Sequence, residues 1–187
     1  GFQPDWTWIK KRNGTTWHNL YDAVRGVTKA IASNDTGAED TRATGLTTFG
    51  TDGFTVGADN NANANGDTYA SWNWLANGAG SANTDGSISS TVSVNTTSGF
   101  SIVSFTGTGA NATVGHGLGV APKMVILKSR ANAYNWGVYH ASIGATKYLR
   151  LNSTNAEATS SAYFQDTAPT STLITLGSDL NIYLYRI

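Results

Sequence analysis

"GVAPKMVILKSR", Gly119–Arg130, restates an earlier phrase of the same chain, "GFQPDWTWIKKR", Gly1–Arg12. Gly, Pro, Lys and Arg fall at the same four places in both, in a chain with only three prolines. An offset of 118 residues carries the match further. Thr28, Lys29, Asn34, Thr36, Ala38 and Glu39 land on Thr146, Lys147, Asn152, Thr154, Ala156 and Glu157. Trp17 meets Trp136 after a one-residue slip, and DGFTVG meets STLITLG, with Gly57 on Gly177. YASWNW (Tyr69–Trp74) meets IYLYRI (Ile182–Ile187). Self-similarity over this length is an internal duplication. Two copies are too few for a solenoid, so two related modules are expected.

The repeated segments read as strands. WTWI and MVIL are short apolar runs bounded by charge, the pattern of strands buried on both faces. Trp136, Val138 and His140 alternate with Gly137, Tyr139 and Ala141, and Phe100–Phe105 reads FSIVSF. Clusters of turn formers, NGTT, TDG, NANGD, GTGAN and GHGLG, separate the runs. Leu20–Ala32 has Leu20, Val24, Val27 and Ile31 at helical spacing, but Gly26 interrupts it. Its repeat partner reads as two strands and a turn, so strands are expected in both. The expected fold class is all-β, as two tandem homologous β-sandwich modules of jelly-roll-like form. The first repeat covers 1–75, a polar linker or docked edge strand covers 76–98, and the second repeat covers 99–187. The second copy has an extra strand pair over Gly99–Gly119. Its counterpart would lie upstream of Gly1, so the first repeat is expected to be truncated and the parent chain longer.

Charged residues make up 13% of the 187 residues, about half the usual share. Gly, Ala, Ser, Thr and Asn fill the gap, and they suit turns and outer strand faces. The 12 basic and 12 acidic residues cancel. Nucleic-acid binding needs a basic surplus, so no nucleic-acid partner is expected. No apolar run reaches spanning length, so no membrane insertion is expected. Cysteine is absent, which removes disulfides and thiolate metal sites.

No catalytic constellation is legible, so no enzyme and no catalytic residues are expected. The two glutamates, Glu39 and Glu157, are repeat-equivalent, which points to a shared loop role rather than an acid–base pair. Neither a nucleophile elbow nor a zinc-binding helix motif occurs. His18, His116 and His140 share no ligand spacing. Asp59–Asp67, DNNANANGD, resembles a calcium loop but lacks the closing bidentate Glu and reads as a turn. No cofactor or metal is therefore expected. GTGANATVGHGLG is followed by a Pro and a β run rather than a helix, so it reads as a glycine-rich hairpin and not a phosphate loop. Trp6, Trp8, Trp72 and Trp74 sit in apolar strand patterns and are expected in the core. Trp17 and Trp136 follow turns beside Tyr21 and Tyr134, and these four are the candidates for a recognition surface.

The combined phrases GFxPDxxWIKxR, VRGxTK, SNxTxAE and DGFTxG resemble a repeat of tail-fibre and other virion structural proteins of tailed bacteriophages, especially marine ones. GFSIVSFTGTGANATVGHGLGVAPKMVILKSR and TAPTSTLITLG resemble the other half of that arrangement. Asn73 stands where the family often has Cys, so no thiol role carries over. The resemblance implies a β architecture, a place on the virion surface, and structural or adhesive work as a tail- or head-fibre segment. Implied partners are other copies of itself, with a trimer expected, other virion proteins, and a host-surface glycan. A capsid decoration protein and a secreted carbohydrate-binding module are the alternatives.

Overall fold

The computed structural model describes residues 1–178. The expected strand Ile182–Ile187 lies outside the described residues. The first half runs β1 (Trp6–Lys11), β2 (Asn19–Asp22), β3 (Lys29–Ala32), β4 (Asp40–Thr41), β5 (Leu46–Gly50), β6 (Gly53–Val56), the single turn α1 (Asn60–Asn63) and β7 (Tyr69–Trp74). Then come β8 (Ser81–Asn83), β9 (Ser90–Asn95), β10 (Phe100–Phe105) and β11 (Ala112–Gly115). The second half closes with β12 (Met124–Leu127), β13 (Gly137–His140), β14 (Lys147–Arg150), β15 (Ala158–Thr159), α2 (Ser161–Phe164) and β16 (Leu173–Leu176). The chain is nearly all β, in antiparallel sheets ordered β4-β3-β2-β1-β7, β10-β9-β8, β11-β16, β12-β13-β14-β15 and β5-β6.

Leu20–Ala32 forms two strands despite its helical spacing, as expected from Gly26 and from its repeat partner. Gly26 has φ +88° and opens the turn between β2 and β3, a conformation that breaks a helix and suits glycine. The offset of 118 residues maps β2, β3 and β4 onto β13, β14 and β15, end to end. Each half therefore carries the same four-strand meander. Loop chemistry repeats with it. The Asn34 Oδ1 atom accepts the His18 backbone N–H at 2.8 Å, and Asn152 Oδ1 accepts that of Trp136 at 2.9 Å. Trp136 is thus the counterpart of His18, and the one-residue slip that aligned it with Trp17 is corrected.

Two further expectations change. The stretch 76–98 is polar but carries β8 and β9, and β9 is central in its sheet. Residues Gly99–Gly119 do not form a strand pair of their own: β10 pairs with β9, and β11 pairs with β16. The reason is local. Asn95 Oδ1 accepts the N–H groups of Thr97 and Ser98, both at 3.0 Å, and Gly99 has φ +69°. That closes a short β9–β10 turn before the longer 106–111 segment can fold back.

Side chains alternate along β1. Thr7 and Ile9 face one side, where Ile9, Tyr21, Ala30 and Leu46 pack beneath the β5–β6 hairpin. Trp6 and Trp8 face the other. There Trp6, Leu20 and Ile31 of the first half share one apolar cluster with Phe100, Ile102, Ile126, Trp136 and Val138. A third cluster, with Val103, Val114, Val125, Leu127, Phe164 and Ile174, fills the second half.

Candidate recognition cleft

The shared cluster covers only part of the first sheet. Strand pairing sets Trp74 opposite Trp6 and Trp72 opposite Trp8, so four indoles crowd one face. Trp6 is buried, with its ring centroid 4.6 Å from Trp74 and 6.1 Å from Phe100. Trp8 is half-buried and Trp72 is 50% exposed, with centroids 6.0 Å apart. The His18 ring sits 6.3 Å from that of Trp8. Trp8, Trp72, Trp74, His18 and Lys10 line a cleft of about 290 Å³. A second cleft, about 500 Å³, shares Lys10 and His18 and continues over Thr15, Thr16, Trp17 and Asn34.

The polar groups at the junction are held in place. Lys10 Nζ donates to Lys11 O at 2.6 Å and Gly14 O at 3.0 Å, which fixes the loop after β1. Burial, reinforced by the Lys10 charge, holds His18 below its ordinary value of 6.5. The imidazole is therefore neutral at pH 7 and Lys10 is the cation of the cleft. This arrangement suits binding: an apolar aromatic floor with a few oriented polar groups at its rim. Among the described residues no group of three or more His, Asp or Glu is placed to hold a metal ion. Asp59 caps α1, its Oδ1 accepting the Asn61 N–H at 2.7 Å.

The four expected surface aromatics separate. Trp17 is 41% exposed and lines the second cleft; Tyr134 is 46% exposed and lines neither. Tyr21 and Trp136 are fully buried and leave the surface set. Tyr21 points beneath the β5–β6 hairpin, where burial pushes its phenol up to about 12. Trp136 lies under the first half, with Nε1 donating to Ala32 O at 2.9 Å and Asp35 O at 3.1 Å. Trp8, Trp72 and Trp74, expected in the core, line the cleft instead, with Lys10 and His18. The signal was present in the order of residues. Trp72 and Trp74 alternate with Ser71 and Asn73, and Trp6 and Trp8 share one face of the strand beside them. Four indoles on one small face exceed what it can cover.

Residues 1–185 match the family described as a domain of unknown function, DUF7483. The chain belongs to that family. No curated protein and no solved structure matches it. For this DUF7483 chain the site therefore rests on its own geometry, with the aromatic cleft as its centre.

Proposed function

We propose that the protein is a non-enzymatic structural and adhesion module of a tailed-phage particle, and that the cleft of Trp8, Trp72 and Trp74 recognises a surface glycan of the host. The observation that carries this reading is Trp72, half exposed beside Trp8 in a cleft whose lining has Lys10 as its one charged side chain. Indole faces stack on the apolar faces of sugar rings, and Lys10 and His18 supply hydrogen-bond partners at the edge. The particle location is supported by the resemblance of the repeated phrases to virion fibre proteins.

The reading includes an ancestry. The two halves are homologous β modules, supported by the shared meander and by Asn34 and Asn152 in the same role. Gly57 and Gly177 add to it: each donates its N–H to the counterpart of the other's acceptor, Gly45 O at 2.9 Å and Tyr163 O at 2.8 Å.

The test is an array of bacterial surface polysaccharides probed with the labelled chain, read beside Trp72→Ala and Trp8→Ala. Binding in the wild type and its loss in both variants is expected. No retention by any polysaccharide, or retention equal in all three proteins, overturns the glycan reading. Gold-labelled antibody on intact particles separates a fibre location from capsid decoration, and absence from the particle overturns both.

A further inference from the structure

We propose that a second copy of this chain docks its segment 150–157 onto the strip 10–18 of the first half, repeating between molecules a contact that each chain already makes within itself. That internal contact seals the segment 32–39 against the strip 128–136. Lys128 Nζ donates to Thr36 O at 3.0 Å, and Trp136 Nε1 donates to Ala32 O at 2.9 Å and Asp35 O at 3.1 Å. Arg130 grips Glu39 with both arms, Nε to Oε2 at 3.0 Å and Nη2 to Oε1 at 3.1 Å. The Glu39 N–H donates to Arg130 O at 2.8 Å.

Both sides of this contact occur twice in the chain. Lys10, Arg12 and His18 stand where the second half has Lys128, Arg130 and Trp136. Asn152, Thr154, Ala156 and Glu157 repeat Asn34, Thr36, Ala38 and Glu39. Among the described residues no hydrogen bond or ion pair joins this second pair of surfaces to each other. Lys128 donates to Ser129 O at 2.9 Å and Asn132 O at 3.3 Å besides Thr36. Lys10 makes the two equivalent bonds, to Lys11 O and Gly14 O. Its third N–H, the one that in Lys128 reaches across to Thr36, has no acceptor among the described residues. Arg12 is exposed and forms no ion pair among the described residues. Glu157 pairs with Lys147 of its own half, and both are partly exposed. Leu151, at the start of the segment, is exposed as well. The 500 Å³ cleft opens beside this strip, over Lys10 and His18.

Among the described residues the chain thus carries one engaged pair of surfaces and one open pair in which Lys10, Arg12 and Glu157 repeat the donors and the acceptor of the first. A contact between unlike patches links molecules into a closed ring, of which the expected trimer is one, or into an array. This goes beyond the glycan reading. It concerns the polar strip, and it meets the aromatic cleft only at Lys10 and His18.

Sedimentation velocity over a rising concentration series tests it, with circular dichroism confirming that each variant is folded. The wild type is expected to self-associate. Arg12→Glu and Glu157→Arg are each expected to shift the midpoint of association upward by at least about tenfold, and the double variant to restore it. A wild type that stays monomeric throughout, or association that neither reversal weakens, or singles that the double does not rescue, overturns the proposal. Trp72→Ala keeps association intact here, and Arg12→Glu keeps polysaccharide binding intact, so each reading fails on its own readout.

Discussion

Glu39 and Arg130 bind the two halves of the chain through both carboxylate oxygens, and Arg25 shares the load. Arg25 Nη1 reaches Glu39 Oε2 at 3.1 Å, while its Nε holds Asp22 Oδ2 at 2.6 Å. Asp22 and Arg25 are almost fully buried, so the network runs from the interior of the first sheet to the edge of the second. Such networks are most sensitive to removal of a single member, which leaves a partner charge unpaired. Glu39→Gln is expected to destabilise the fold by about 2 kcal/mol. Urea unfolding measures it, and a change no greater than that of Glu157→Gln would refute the role.

The four aromatic residues first suited to a surface should divide in their energetics. Trp136→Phe removes two hydrogen bonds from a fully buried indole, an expected loss of about 1–3 kcal/mol. Trp17→Ala, at an exposed site, should change stability by less than about 0.5 kcal/mol. Chemical denaturation of both variants side by side checks the contrast, and equal losses would contradict it.

Much of the fold was readable because a repeat prints its constraints twice. Lys10 and Lys128 tie the same loop with the same carbonyls, and Asn34 and Asn152 accept equivalent N–H groups. Either site alone would have looked like ordinary loop polarity. What was not readable depends on contacts far along the chain. β9 arises from a segment of Ser, Thr and Asn, and it becomes central only because Asn95 turns the chain onto β10. Whether Trp8 and Trp72 are covered depends on how far the second half reaches across the first sheet, which no local pattern encodes. His18 and Trp136 occupy equivalent positions with opposite fates, one at an open cleft and one sealed between halves.

The paired glycines Gly57 and Gly177 should resist any side chain. A Cβ at Gly57 would stand 2.7 Å from Thr44 O, and one at Gly177 would overlap Ala162 O. These neighbours are backbone atoms and do not yield cheaply. Gly57→Ala and Gly177→Ala are expected to lose roughly 1–3 kcal/mol each, Gly177→Ala the more. Thermal melts compare them with Gly99→Ala, where the new methyl has open space and only the φ of +69° costs stability, so that the crowding at Gly177 is read as the excess loss. Wild-type stability in Gly177→Ala would rule out the close approach.

Stability should rise with pH on the alkaline side. Burial pulls Lys128 from 10.5 down to about 8, against a smaller opposing pull from Asp35. Between those two values the unfolded chain binds more protons than the folded one, so unfolding becomes harder as pH increases. Tyr21 reverses the trend above its unfolded value of 10.0, because its folded phenol holds the proton up to about 12. The melting temperature should therefore climb from about pH 8 to about pH 10 and then turn over. Lys128→Met should flatten the climb. A wild-type melting temperature that falls across that interval would refute it.

His18 offers a reporter of the cleft. Its imidazole is expected to gain a proton below the ordinary value of 6.5 and to quench emission from Trp8 as it does so. Fluorescence titration should show a midpoint under that of free imidazole, absent in His18→Gln. A midpoint at or above the ordinary value would mean that the cleft does not shield the ring.

The crossed indoles Trp6 and Trp74, 4.6 Å apart and inclined at 74°, form an optical antenna. Transition dipoles this close exchange excitation, and skewed dipoles that couple give a pair of circular-dichroism bands of opposite sign. The two rings belong to β1 and β7, which are distant in sequence and neighbours only once the first sheet has closed. Trp6 also lies 6.0 Å from Trp8 within β1, so the part of the signal that Trp74→Phe removes is the part that reports the meeting of β1 and β7. Followed during refolding, that part times the closing of one sheet edge without any added label.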